Sequence, residues 1–474
     1  MKLKAIAAVC ALAFAGQAFA AAPTPAQAAA STNQLFISGS SALQNTIGQI
    51  ANGIFTAGTV SVFEDGSATV PSGNNYRAYA GTFSAAAGAA LAGQTGVVYE
   101  TAKGGSIMGV VPVALAQNVN RIDLTTCGAA AVGVDSVTGA PLWSCTGAVG
   151  AVPDAGVSDV EPAMFVGINV PAGTAPATPA IIAALTAQAT LAQPMSIIVT
   201  PNTGITNLTK AQVTGLMGGL STDWSFVDAT YAAGPVIVCK RTAGSGTQAS
   251  INDFFFGFPC TSLPQGPASY LATVAGGYTV IENTSSGALG SCMTAAQNGL
   301  AAGATIDITS GAIAVHAVDA THITLAAGGR AIGLMGLDRP PQPLTNALIN
   351  GYATKTTELY QPISIGGAVP SVVNASLGGY DVVVNNSWNK RAGTVGTVAP
   401  LAGNQLAFFN AMAAQSGNKT ILGTTKVPPV PGVAALADPI NLNFDPTLNA
   451  DGTFTNPVMR TSKSNSCQPA IQVQ

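Results

Sequence analysis

Gly234-Pro235-Val236-Ile237-Val238-Cys239-Lys240-Arg241-Thr242-Ala243-Gly244-Ser245-Gly246-Thr247 is the stretch from which the fold is read. Its first half is a short apolar run of β-branched residues behind a Gly-Pro boundary, which predicts a buried strand. Its second half is a turn. Gly244 and Gly246 permit backbone geometry that aims successive N–H groups at one point, and Ser245 and Thr247 add hydroxyl donors. The segment from there to Phe256 reads as a helix, so the turn sits at a helix N-terminus, where unpaired N–H groups and the positive end of the dipole favour anions. Arg241 supplies a planar guanidinium able to hold two oxygens of a tetrahedral anion. Ser and Thr ahead of a helix also serve simply as caps, and that reading of Ser245 and Thr247 stays open.

The same unit recurs along the chain. Gln34-Leu35-Phe36-Ile37 is a short strand, and Ser38-Gly39-Ser40-Ser41 opens a helix whose apolar face is Leu43, Ile47, Ile50, Ile54 and Phe55. Gly96–Tyr99 is a strand followed by the tight loop Lys103-Gly104-Gly105-Ser106, and Ala155-Gly156-Val157-Ser158-Asp159 ends another strand. Further on, the pattern predicts a helix over 177–193, a strand over 195–199, and a helix over 208–217. A helix near 288–300, strands at 331–335 and 380–384, and a helix over 406–414 complete it. Strands alternating with helices predict an α/β protein, and the length exceeds what one core usually organises. Two lobes with mainly parallel sheets are expected.

Six segments in order resemble the phosphate-binding proteins of bacterial ABC importers, members of the type II periplasmic substrate-binding family. Ile37-Ser38-Gly39-Ser40-Ser41-Ala42 looks like the family's first anion loop and Lys103-Gly104-Gly105-Ser106 like its second. Val157-Ser158-Asp159-Val160-Glu161-Pro162 is similar to its Ser-Asp-x-Pro region, and Asn207-Leu208-Thr209 with Asp223-Trp224-Ser225 to its short helix ending in Trp. Arg241 to Thr247 matches its Arg-x-x-Gly-Ser-Gly-Thr, and Ala331-Ile332-Gly333-Leu334 resembles its Ala-Ile-Gly-Tyr strand. The resemblance implies a two-strand hinge, with the chain crossing near Phe165 and returning near Val372. It implies an anion site of Ser40, Ser41, Ser106, Asp159, Arg241, Ser245, Gly246 and Thr247. Two departures stand out. The family commonly places an acid two residues after the loop arginine, where this chain has Ala243, and two insertions fall outside the common pattern.

Asp159 bears on which anion is held. A carboxylate beside an anion repels it unless the ligand carries a proton to donate, as phosphate does and sulfate at neutral pH does not. An unmatched acceptor costs roughly 1–3 kcal/mol, so the acid would select phosphate. Alternatively, Asp159 caps a turn before Pro162. Lys103 either faces the anion or is solvated.

Composition narrows the remaining classes. Lys2 and Lys4, the apolar run Ala5–Gly16 and Ala18-Phe19-Ala20 read as a signal peptide over 1–20, followed by a flexible lead-in over 21–31. Removing 1–20 takes away two lysines and no acid, moving the net charge from −3 to −5, far from the basic footprint of a nucleic-acid binder. The mean hydropathy of +0.39 raises the question of membrane spans. The longest uncharged stretch, Pro162 to Thr209, is broken by five further prolines before it offers about 20 consecutive apolar residues. A periplasmic or secreted protein without a transmembrane segment is expected. Six cysteines then remain, implying up to three disulfides. Short loops favour Cys127–Cys145 and Cys239–Cys260, leaving Cys292–Cys467. There is no CxxC pair, and the histidines are His316 and His322, whose spacing suits no helical face; both read as loop residues. No metal ligands or cofactor are assigned. Trp143, Trp224 and Trp388 read as packing residues. A hydrolase built on Ser245 lacks both a GxSxG elbow and a nearby base, so no enzyme is expected.

The expected organisation is lobe I over 32–165 plus 373–474, with a disulfide-closed insertion at about 115–150, and lobe II over 166–372, with an insertion at about 301–328. The leading expectation is an exported binding protein that captures phosphate or a similar oxyanion in the inter-lobe cleft, with an ABC importer permease as implied partner. The alternative is a secreted surface or matrix structural protein that keeps this fold.

Overall fold

The computed structural model describes residues 21–66, 75–135, 137–261, 277–337, 359–376 and 378–418, together with 434–436, 445–448, 454–456, 458–459 and 467. The expected signal segment 1–20 lies outside the described residues.

Two clusters of parallel strands organise the chain. In the first, β1 (Asn33–Gly39) lies between β4 (Thr95–Thr101) and β7 (Ala155–Ser158), parallel to both. In the second, β9 (Val236–Arg241) lies parallel to β10 (Thr279–Asn283) and β11 (Arg330–Gly336). The first cluster extends outward through antiparallel β3 (Tyr76–Thr82) and β2 (Ser61–Asp65), then β6 (Pro141–Cys145) and β5 (Gly133–Val134). Two long antiparallel strands join the clusters. β8 (Leu185–Val199) pairs with β12 (Val383–Arg391) over Leu185–Pro194 and with β11 over Met195–Val199, and β12 pairs in turn with β7. The hydrogen-bonded order is β10-β9-β11-β8-β12-β7-β1-β4-β3-β2-β6-β5. The protein thus has the expected α/β class, with a parallel centre in each half and a two-strand joint.

Helices cover these sheets through apolar faces. Among the described residues, α1 (Pro25–Ala29) is capped by Thr24, with a reciprocal bond from Gln27, and buries Ala28. The segment expected to be a flexible lead-in is therefore an ordered helical turn, because Thr-Pro-Ala-Gln supplies a complete capping box. On the first half, α2 (Gln44–Ile54) buries Ile47, Ile50 and Ile54 against Leu35, Ile37 and Val62, with Phe408, Phe409 and Met412 from a C-terminal helix, Gly403–Ser416, closing the cluster. Trp388 packs edge-on against Phe409, Trp143 stacks on Phe63, and Trp224 is buried in the other half.

The second half shows why two expected disulfides are wrong. Side chains alternate across a strand. Val236 and Val238 of β9 face the layer formed by Ile251 and Phe255 of α6 (Gly246–Phe256). Ile237 and Cys239 face the opposite layer, against Leu289, Cys292 and Met293 of α7 (Ser286–Asn298). Cys239 therefore points away from the end of α6 where Cys260 lies, and it bonds Cys292, 53 residues on. Cys260 instead bonds Cys467. The Cys127–Cys145 bridge forms as expected and closes the 115–150 insertion, whose strands Val119–Ile122 and Ala148–Ala151 also pair.

Two element boundaries depart from expectation. The helical pattern over 177–193 yields only Pro179–Ala183, capped by the Thr178 hydroxyl, before the chain becomes strand β8. Ala and Gln at 186–193 favour helix on their own, and pairing with β12 overrides that preference. The expected strand 380–384 runs instead over Val383–Arg391, where Asn385, Asn386, Ser387 and Asn389 are buried in a strand whose composition hides it.

Candidate anion site

The helix-opening turns of both halves meet at Asp159. From β1, the chain turns at Gly39 (φ 127°), where a Cβ would come within 1.9 Å of the Val157 carbonyl oxygen, so no other residue fits. The turn presents Ser40, whose hydroxyl donates to Asp159 Oδ1 and also accepts the Leu43 N–H at 3.1 Å. From β4, Gly105 (φ 76°) introduces Ser106, whose hydroxyl accepts the Asp159 N–H at 3.4 Å. From β9, Thr247 on the first turn of α6 donates its hydroxyl to Asp159 Oδ2 at 3.1 Å. Asp159 is 1% exposed. Burial pushes its carboxyl above the ordinary range, opposed by the Ser40 hydroxyl and next by the charge of Arg241.

Arg241 ends β9 and is also buried. Its Nε donates to the Asn283 carbonyl at 3.0 Å, Nη2 to the Thr284 carbonyl at 3.0 Å, and Nη1 to the Ser286 hydroxyl at 3.1 Å. The turn from β10 into α7 thus fixes the guanidinium. Sequence reading missed Asn283, Thr284 and Ser286. The signal was present, since Asn283-Thr284-Ser285-Ser286 is another strand-to-helix polar turn, with Ser285 capping α7.

The remaining expected residues divide. Ser41 lies 3.5 Å from the Ser286 hydroxyl, inside the cluster. Ser245 is the N-cap of α6 and accepts the Gln248 N–H at 3.3 Å, so capping is the role its hydroxyl fills. Gly246 sits so close to the first half that a Cβ there would lie 2.6 Å from Asp159 Cβ and 2.7 Å from Ser106 Oγ. The halves also share backbone bonds, Ile107 N–H donating to the Gly244 carbonyl at 2.9 Å. Asp159 does not cap the turn before Pro162; Ser158 does, accepting the Val160 N–H at 3.2 Å. Lys103 is exposed, outside the cluster.

The arrangement can do two things chemically. It gathers hydroxyls, a cationic guanidinium and two helix N-termini around one buried carboxylate, a set matched to an oxyanion that carries a proton. Equally, the same groups satisfy one another and tie the halves together.

No family model matches the sequence, and no curated protein matches it. Among solved structures, the chain is similar to a Clostridium perfringens protein with bound phosphate, described as a phosphate ABC transporter substrate-binding protein. The TM-score is 0.42 and the identity 12%, over 82% of this chain and 96% of that one. It is also similar to a phosphate-binding protein from Stenotrophomonas maltophilia, with TM-score 0.35, 14% identity, and coverage of 76% and 79%. An ABC-type phosphate transport receptor from Vibrio cholerae gives TM-score 0.29, 14% identity, and coverage of 55% and 74%. Strand pairing and site together define a bilobal α/β protein with a polar cluster where its two halves meet.

Proposed function

We propose that this chain is an exported solute-binding protein that captures a tetrahedral oxyanion, phosphate in preference to sulfate, between its halves. The observation that carries this reading is the convergence of the Ser40 and Thr247 hydroxyls on the Asp159 carboxylate, with Ser106 on its backbone N–H and the charge of Arg241 acting on it. In this reading the lobes, 32–165 with 373–474 and 166–372, close about the β8–β12 pair. The anion enters among Ser40, Ser41, Ser106, Arg241, Ser245, Gly246 and Thr247, exchanging their internal hydrogen bonds for bonds to itself. Asp159 accepts the ligand's proton, which favours phosphate. The protein is not an enzyme, acts in the periplasm or outside the cell, and as a transport component would deliver its ligand to an ABC importer permease. Among the described residues, no helix is long and apolar enough to cross a membrane.

One observation favours a second reading, a secreted surface or matrix protein that keeps the fold. The Ser40 and Thr247 hydroxyls already donate to Asp159, and Arg241 is already held by three protein acceptors. Thermal denaturation with phosphate, arsenate or sulfate separates the two. A ligand at about 100 times its Kd adds roughly 2.7 kcal/mol, and no shift at millimolar concentration of any of the three would leave the structural reading.

A further inference from the structure

The 301–328 insertion folds into a three-stranded sheet on the second half. Its central strand Ala304–Asp307 pairs antiparallel with Ile313–Val315 on one edge and His322–Ile323 on the other. The connection 316–321 must cross from one edge to the other, and in doing so it brings together the chain's two histidines. The rings of His316 and His322 stack with centroids 3.7 Å apart and planes 18° from parallel. Asp319 joins them: its Oδ1 and Oδ2 are each 3.0 Å from His322 Nδ1, and Oδ2 is 3.8 Å from His316 Nδ1. One potential ligand atom from each of the three lies within 4.8 Å of the others. A six-residue separation that suits no helical face suits this crossing loop.

The carboxylate and one ring are already positioned. Asp319 Oδ1 accepts the backbone N–H groups of Thr321 at 2.7 Å and His322 at 2.8 Å, which fixes the carboxylate and leaves Oδ2 towards the rings. His316 Nδ1 lies 2.8 Å from the Ala317 carbonyl oxygen; donating there leaves the lone pair on Nε2. Two imidazole nitrogens and one carboxylate oxygen, all reachable from solvent, form a donor set for a borderline divalent ion, with open positions for water. Hard cations such as magnesium or calcium, which take oxygen ligands, are poorly served.

We propose that His316, Asp319 and His322 form a surface site for one divalent transition-metal ion of the zinc–copper class, separate from the anion cluster. The test uses the whole chain, made without a histidine tag and titrated with Cu2+ and with Zn2+. One ion per chain is expected, with the copper electron paramagnetic resonance spectrum showing two imidazole nitrogens. His316→Ala/His322→Ala should abolish that binding, and Asp319→Asn should weaken it by about tenfold to a hundredfold. A copper spectrum lacking imidazole nitrogen, or equal zinc affinity in the wild type and the double variant, would overturn the proposal. The spectrum is read on the wild type alone, so it decides even if a variant fails to fold. Magnesium binding as tight as zinc binding would equally overturn the assignment of metal class.

Discussion

The Thr247 hydroxyl donates to Asp159 Oδ2 at 3.1 Å, joining the first turn of α6 in one half to the end of β7 in the other. That bond spans the line along which the halves would part, and both its residues belong to the proposed ligand set. On the proposed reading, opening the halves breaks this bond and a bound oxyanion replaces it.

Replacing the carboxylate tests the selection rule. Asp159→Asn should weaken phosphate binding yet leave sulfate equal or better, because an amide can donate where a carboxylate only accepts. The expected swing in preference is about 1–3 kcal/mol, tenfold to a hundredfold, measured by competitive calorimetry. Burial raises the Asp159 pKa, so lowering pH hands the wild type a proton and should narrow its preference in the same direction. Arg241→Ala should weaken both anions alike. Equal loss of both anions in Asp159→Asn would reduce Asp159 to a structural role.

Gly246 and Ser245 are neighbours with different predicted effects. A methyl at 246 meets Asp159 Cβ at 2.6 Å, a contact that cannot be relieved by rotating the far end of a side chain. Gly246→Ala should hold the halves apart and lower phosphate affinity by about tenfold or more, equivalent to about 1.4 kcal/mol. Ser245→Ala removes a cap and should lower stability by about 1 kcal/mol, with less effect on affinity. Urea denaturation beside calorimetry checks both, and reversed effects would reassign the hydroxyl of Ser245 to the ligand.

A pH dependence of stability follows from Asp253 on α6. Burial, and next the charge of Glu161, pushes its carboxyl up to about 7. A folded pKa above the unfolded value means the folded state holds a proton the unfolded state has lost. This contribution is therefore complete at acid pH and disappears as pH rises towards about 7. Asp253→Asn should flatten that decline in urea midpoints. An unchanged slope would show that Asp253 titrates normally.

All six described cysteines are paired, so alkylation without reductant should add no label to the folded chain once residues 1–20, which carry Cys10, are removed. Peptide mapping should recover Cys239 linked to Cys292 and Cys260 linked to Cys467. Losing the Cys239–Cys292 bridge should cost up to about 4 kcal/mol on the chain-entropy estimate for a loop of 53 residues. A Cys239–Cys260 peptide would contradict the strand alternation described for β9.

The legible parts of this fold were those with local signals. Glycines and hydroxyls at strand ends marked Ser40, Ser106 and Thr247, and apolar periodicity marked α2. The geometry of the site also brought Asp159 and Arg241 to one place. What stayed hidden depended on tertiary pairing. Cys239 chose its partner by the face of β9 it occupies, which linear distance along the chain does not encode. β12 buries Asn385, Asn386 and Asn389 in a joint where composition suggests a loop. β8 is a strand because β12 and β11 flank it, against a helical pattern at 177–193. The guanidinium of Arg241 is oriented by backbone carbonyls of Asn283 and Thr284; the polar turn Asn283–Ser286 marks a helix start in the sequence, but carbonyls are common to every residue, so the turn does not announce its partner. His316 and His322 were apart in any helical or strand register and meet only through a loop crossing.

The most direct measurement is a crystal structure of the chain grown with saturating phosphate. The account predicts one tetrahedral anion bonded to Arg241, Ser40 and Thr247, with an oxygen within hydrogen-bond distance of Asp159 and the Thr247–Asp159 bond replaced. A map in which Thr247 still donates to Asp159 and no anion lies beside Arg241 would contradict it.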